Sequence, residues 1–206
     1  EALGLRARLA LLHEHLGDPW PDMSDAALAE RAEEWLAPAV VSLAGQAGGS
    51  GGSSRSGESA SGSGSRRFSL ERLDVAQALR ALLPWPQAAR LDELVPERIE
   101  VPSGSQVRVD YTAAVGGAAG SAGSAEAGRA GRPVLAVRVQ ECFGWAATPR
   151  IVEGRVAVLL HLLSPARRPV AVTDDLASFW EQGYPQVRAE MRGRYPKHAW
   201  PEDPWN

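Results

Sequence analysis

The apolar residues of this chain recur every three or four positions up to Pro96, and from Ile99 to Tyr111 they alternate with polar ones. A helix buries one stripe with a period near 3.6 residues and a strand one face with a period of 2, so the change of spacing divides the chain into two structural halves. The predicted class is α+β, with helices first and strands second rather than an alternating array.

In the first half, Leu5, Leu9, Leu12 and Leu16 predict a helix over residues 2–16, with Gly17 placed for its C-terminal cap. Ser24 caps a second predicted helix that runs through Leu36, turns Leu28, Ala32, Trp35 and Leu36 inward, and is closed by Pro38. A third spans Ser69 to Leu83, and a fourth starts around Pro86 and ends at Val95. Between the second and third, 16 of the 21 residues from Gly45 to Ser65 are Gly or Ser. Such a tract has nothing to bury and much chain entropy to lose, so it is expected to be a disordered insertion in a helical region over residues 1–96.

In the second half, Ile99, Val101, Val107, Val109 and Tyr111 alternate with polar residues around the turn Pro102-Ser-Gly104, which predicts a hairpin. Val134–Val139, Arg155–Leu162 and Pro169–Thr173 add three strands. Five strands in about 75 residues suggest a small closed, OB-like β-barrel within a domain over residues 97–206, although strand count alone does not fix topology. Of the 19 residues from Ala113 to Gly131, 14 are Gly or Ala, and this tract reads as an expanded loop between strands. Thr173 is expected to cap a C-terminal helix whose first turn holds Asp174 and Asp175 and whose Leu176, Phe179 and Trp180 face the barrel. Pro185 begins a further helical turn, and Pro196, Pro201 and Pro204 make the remainder an extended tail.

Several chemistries fail on residue type or spacing. Lys197 is the single lysine among 22 basic residues and follows Pro196, so no P-loop exists here. Gly48-Gly-Ser50-Gly-Gly52 matches a nucleophile elbow in letters only, because it lacks the strand before it and the helix after it. His13 and His15 lie two apart on a helix and point to different faces. His161 reads as a core or rim histidine, Asp174 and Asp175 as helix N-terminal charges, and Cys142 as a small buried hydrophobe. No catalytic, cofactor-binding or metal-binding residue is assigned. One cysteine allows no intrachain disulfide, which points to a reducing cytoplasm. The longest apolar runs fall well short of the roughly 20 residues a membrane span needs. The chain opens at Glu1, without Met, directly in helical sequence, and reads as a piece of a longer protein.

With 22 basic against 25 acidic residues and a net charge of −3, any anion site must be local. The strongest local excess runs from Arg188 to His198, where Arg188, Arg192, Arg194, Lys197 and His198 face one acid, Glu190, with Tyr195 and then Trp200 interleaved. Cations for phosphates and aromatic rings for bases are the components of single-strand binding. The same residues also suit packing, with Tyr and Trp buried and the charged heads left in water. Both readings stay open. Arg192, Arg194, Tyr195, Lys197 and Trp200 are the candidate nucleic-acid contacts.

Four segments, Val137-Arg-Val-Gln-Glu-Cys-Phe-Gly144, Leu162-Leu-Ser-Pro-Ala-Arg-Arg-Pro-Val170, Thr173-Asp-Asp-Leu-Ala-Ser-Phe-Trp180 and Arg194-Tyr-Pro-Lys-His-Ala-Trp-Pro-Glu-Asp-Pro204, together with Pro102-Ser-Gly-Ser105, resemble the C-terminal portion of the HrpB-type bacterial helicases, in the DEAH group of ATP-dependent RNA helicases. The resemblance covers most of the chain outside the two low-complexity tracts. It implies two RecA-like motor domains, a winged helix, a helical ratchet-like region, an OB-like domain and a C-terminal extension, with this chain starting near the helical region. It also implies that ATP and Mg are bound by motor domains elsewhere in the parent protein, and that partners are those domains and single-stranded RNA, with DNA left open. The expected role is accessory binding of nucleic acid; a protein-interaction module docking on the motor or an external partner is the other.

Overall fold

The first helix, α1 (Ala2–Leu16), buries Leu5, Leu9, Leu11 and Leu12 and stops at Gly17, whose φ of 66° suits a residue without a Cβ and whose N–H caps the His13 carbonyl at 2.9 Å. The computed structural model describes residues 1–48, 73–113 and 131–205. One residue on the buried side of α1 is charged: Arg8 is only 3% exposed. Its Nε donates to the Val95 carbonyl at 2.7 Å, one terminal nitrogen to Glu97 at 3.1 Å and the other to Asp92.

Ser24 caps α2 (Asp25–Glu30) as expected, its hydroxyl accepting from the Ala27 N–H at 3.2 Å. The helix then breaks at Arg31 and restarts as α3 (Ala32–Gly48), which corrects two expectations. Pro38 lies inside α3 instead of ending a helix, and the first four residues of the Gly/Ser tract are helical. The restart is held by a two-pronged Arg31–Glu34 pair with both contacts at 2.8 Å. A prolyl ring leaves the carbonyl four residues back without its helical donor, and good helix formers such as Leu36, Ala37 and Ala39 on both sides carry the helix past that cost. The rest of the tract, residues 49–72, lies outside the described residues, as does the start expected for the third helix. That helix, α4 (Val75–Arg80), begins where Asp74 accepts from the Gln77 N–H at 2.9 Å. Pro86 sits in the first turn of α5 (Trp85–Leu94).

The strands are β1 (Arg98–Glu100), β2 (Gln106–Asp110), β3 (Val134–Arg138), β4 (Arg150–Ile151), β5 (Val156–Ala157), β6 (Leu159–Leu163) and β7 (Pro169–Thr173). Five of them form one sheet in the order β1-β2-β3-β6-β7, while β4 and β5 pair separately. This corrects the OB-like barrel, because the sheet is open and β1 and β7 are its edges. The reason lies in the expected strand Arg155–Leu162, which breaks at Val158, where the backbone N–H turns to the Pro149 carbonyl at 3.1 Å. The piece after the break pairs with β3 in parallel, and every other neighbouring pair in the sheet is antiparallel. A parallel step requires a crossover, here a 3-10 turn at Val139–Cys142 and the β4–β5 hairpin, and the chain never returns to join its two edges. At the β7 edge, Pro169 offers no N–H for further pairing. The Gly/Ala tract joins β2 to β3, and its residues 114–130 lie outside the described ones.

One hydrophobic cluster runs from Leu5 and Leu9 through Leu91, Leu94 and Val95 to Leu135, Leu160 and Trp180, so the helical half and the sheet share a core. Tyr111 adds a tie across it, its hydroxyl donating to the Pro96 carbonyl at 2.7 Å. Cys142 is fully buried in this core, and burial lifts its thiol from 9.0 to about 12.

Two outcomes follow from these buried polar groups. Replacing Arg8 by Ala leaves the Val95 carbonyl and two carboxylates without their donor, and urea denaturation should register a loss of about 2 kcal/mol; an unchanged midpoint would show that the clamp is idle. A raised thiol pKa favours the neutral form in the fold, so the stability contribution of Cys142 is complete below about pH 9 and is lost as pH climbs toward 12. Cys142→Ala should therefore flatten the fall of stability between pH 9 and 10 measured by denaturant titration.

Candidate nucleic-acid interface

The C-terminal arm starts where β7 ends. Thr173 accepts from the Asp175 N–H at 3.0 Å, and Asp175, two residues beyond the Thr173 expected as the cap, is the cap itself and accepts from the Ser178 N–H at 3.1 Å. The Asp175 cap launches α6 (Leu176–Ser178), which continues as a wide π-helical turn over Phe179–Gly183 and α7 (Tyr184–Arg194). A Cβ on Gly183 would come within 2.8 Å of the Phe179 ring, so the close wrap of this turn needs glycine. Phe143, Phe179, Trp180 and Tyr184 form an aromatic cluster beneath it, with Trp180 and Tyr184 edge to face at 5.2 Å. The Trp180 indole donates to the Trp145 carbonyl at 2.7 Å.

The tail is irregular, as its prolines require, but it is tied back along α7. Arg188 donates to the Trp200 carbonyl at 3.0 Å and to Glu202 at 2.9 Å. The Tyr184 hydroxyl donates to the Pro201 carbonyl at 2.9 Å, and the Gly144 N–H to the Pro204 carbonyl at 2.8 Å. Burial pushes the Tyr184 phenol up to about 12.

The five candidate residues occupy this arm unequally. Arg192, in the last turn of α7, and Lys197, in the turn after it, are exposed and make no hydrogen bond or ion pair with any described residue. Arg194 is exposed and lies 3.5 Å from Glu190, one helical turn back. Tyr195 is half-buried, its ring edge to face with His198 at 6.2 Å. Trp200 is 7% exposed, belongs to the core cluster, and donates from its indole to the Tyr195 carbonyl at 3.1 Å. Four of the five therefore share one exposed end of the arm, and the fifth is the anchor beneath it. Arg188 and Tyr184 were missed as anchors; their spacing from the tail gave no signal, since the contacts form only when the chain folds back.

The remaining side chains singled out earlier take structural positions. His13 Nδ1 lies 2.7 Å from the Trp20 carbonyl, and Asp174 pairs with Arg132. Among the described residues no group of three or more His, Cys, Asp and Glu is arranged to hold a metal ion, and no helix is long and apolar enough to cross a membrane. Of the Gly48–Gly52 motif, all but the helical Gly48 lies outside the described residues.

Residues 59–204 match the family described as ATP-dependent helicase C-terminal, HrpB. The chain is 38% identical over its whole length to the ATP-dependent RNA helicase HrpB of Escherichia coli K12, of which it spans 21%. It superimposes along its whole length on a crystal structure of the E. coli DExH-box NTPase HrpB, with a TM-score of 0.74, 37% identity and 21% of that chain covered. A second crystal structure, of the E. coli DEAH/RHA helicase HrpB, matches 96% of this chain and 20% of its own length with a TM-score of 0.62 and 34% identity. The chain belongs to the HrpB family of ATP-dependent helicases, as a C-terminal region.

Proposed function

We propose that this region steadies single-stranded nucleic acid for a motor elsewhere in the parent protein, where ATP and Mg would be bound and hydrolysed. The observation that carries the reading is the pair of unpartnered, exposed cations, Arg192 and Lys197, beside Arg194 and Tyr195 on an arm fixed by Trp200 and Arg188. Fixed cations meet phosphates at lower entropic cost than those on a loose tail, and the half-exposed Tyr195 ring supplies a face for one base. Phosphate and stacking contacts accept RNA and DNA alike; the relative named as an RNA helicase favours RNA. The lone buried thiol fits a cytoplasmic setting.

A second reading has its own observation. Trp85 is 84% exposed and Val41 69%, and Trp35, Pro38, Ala39 and Leu43 line an apolar groove between α3 and α4. A surface of this kind suits docking on another part of the helicase or on an external protein.

Replacing Arg192, Arg194 and Lys197 together by Ala should weaken binding of a fluorescent single-stranded RNA and lower the slope of log affinity against log salt by about 2, at about 0.7 per phosphate contact. Unchanged affinity with an unchanged slope would leave docking as the better account. Trp200→Ala should lower stability by about 3 kcal/mol through the lost packing and loosen RNA binding at the same time, because the arm is then free.

A further inference from the structure

The β1–β2 ribbon sets Arg98 directly opposite Arg108. Opposed residues of an antiparallel pair project from the same face, and like charges there repel. Both arginines are exposed. The next pair on that face is satisfied within itself, Gln106 donating to Glu100 at 3.1 Å. Arg98 makes a single long contact, to the Gln106 carbonyl at 3.3 Å, and Arg108 makes no hydrogen bond or ion pair with any described residue. The pair lines a cleft of about 720 Å³ that also includes Leu3 and Arg8 of α1 and Tyr111.

The carboxylates of this cleft are engaged elsewhere. Glu97 takes a nitrogen of Arg8 at 3.1 Å, and Glu1 lies 3.6 Å from Arg80. Asp110 accepts from the Thr112 hydroxyl at 2.6 Å and the Thr112 N–H at 2.8 Å; these bonds, more than Arg108, hold its carboxyl low. The other basic cleft, at the end of α1, is different in kind. There Arg150 and Arg155 hold backbone carbonyls at 2.6 and 2.7 Å and Arg132 pairs with Asp174. Those guanidinium groups hold the fold together, whereas Arg98 and Arg108 stand against each other at a cleft mouth.

We propose that Arg98 and Arg108 form a phosphate-binding pair, with one phosphate group seated between the two guanidinium forks. The planar fork of arginine matches two phosphate oxygens, and a bound anion removes the repulsion that the empty pair carries. The phosphate belongs to the backbone of a single nucleic-acid strand or to a free phosphate compound. None of the tail residues takes part, so the site stands whether or not the tail binds nucleic acid.

The test compares the chain with Arg98→Ala/Arg108→Ala and with Arg98→Lys/Arg108→Lys, titrating a fluorescent ten-nucleotide oligouridine and, separately, inorganic pyrophosphate followed by heat release. The alanine pair should weaken at least one probe about tenfold, and the lysine pair should recover only part of it, because it restores charge without the fork. A loss confined to the oligonucleotide identifies the strand backbone, and a loss with both probes identifies a site open to free phosphates. The melting temperature of the alanine pair should hold or rise as the repulsion disappears, which separates the effect from unfolding. Affinities within twofold of the unaltered chain for both probes would overturn the proposal, as would full recovery by lysine. The variant lacking the three tail cations should keep its pyrophosphate response, so the two readings fail separately.

Discussion

A guanidinium buried to 3% exposure in the middle of α1 is the constraint around which the two halves of this fold are arranged. Arg8 reaches three groups within six residues of each other, Asp92, the Val95 carbonyl and Glu97, and these span the end of α5 and the residue before β1. The chain turns from helix to strand at that place, and Pro96 can donate no backbone hydrogen bond there. Arg8 therefore supplies, from the far end of the sequence, what the local backbone lacks. Its two carboxylate partners remain in water, with side chains 82% and 59% exposed, so the charge is compensated at the rim of the core and avoids the full desolvation of two buried ions. From this anchor the hydrophobic cluster can run without interruption from α1 into the sheet.

The C-terminal arm repeats the arrangement at the other end. Here carbonyls of an irregular tail are the groups that need donors, and Arg188, the Tyr184 hydroxyl and the Gly144 N–H provide them. Aromatic packing makes that exchange possible, because Phe143 and Trp180 hold Tyr184 in place. The irregular tail is thus tied back at three carbonyls, those of Trp200, Pro201 and Pro204.

Most elements were legible because they rest on local rules. The Ser24 cap, the Gly17 stop and the five strand segments of the sheet follow from side-chain type and period, which act over a few residues. The closure of the sheet was not legible, because the decision between barrel and open sheet lies in one break at Val158 and in the parallel pairing of β6 with β3, a contact between segments some twenty-five residues apart. Pro38 misled for the opposite reason: a strong local rule lost to the helix propensity on both sides of it. At the candidate site, charge and aromatic content singled out the stretch from Arg188 to Trp200. They could not show that the Trp200 ring turns inward while Arg192 and Lys197 stay outside, since that depends on Arg188 and Tyr184 folding the tail back.

Net charge conceals this organisation. A chain of net charge −3 gives no indication of an anion partner, yet most of its described arginines are matched to carboxylates or carbonyls inside the fold. The electrostatic surface that a partner meets is set by the rest, which include Arg108, Arg167, Arg168 and Arg192 and the weakly held Arg98, together with Lys197. Among the described residues Arg108, Arg192 and Lys197 make no hydrogen bond or ion pair, and Arg98 makes one long contact, to the Gln106 carbonyl. Exposed cations without partners are not held by the fold they sit on, and a register that sets two of them face to face raises its energy. An anion bound between such a pair is stabilised by both charges at once. A local field of this kind acts over about one Debye length at cellular salt, so it is felt only by an anion that already lies along the surface.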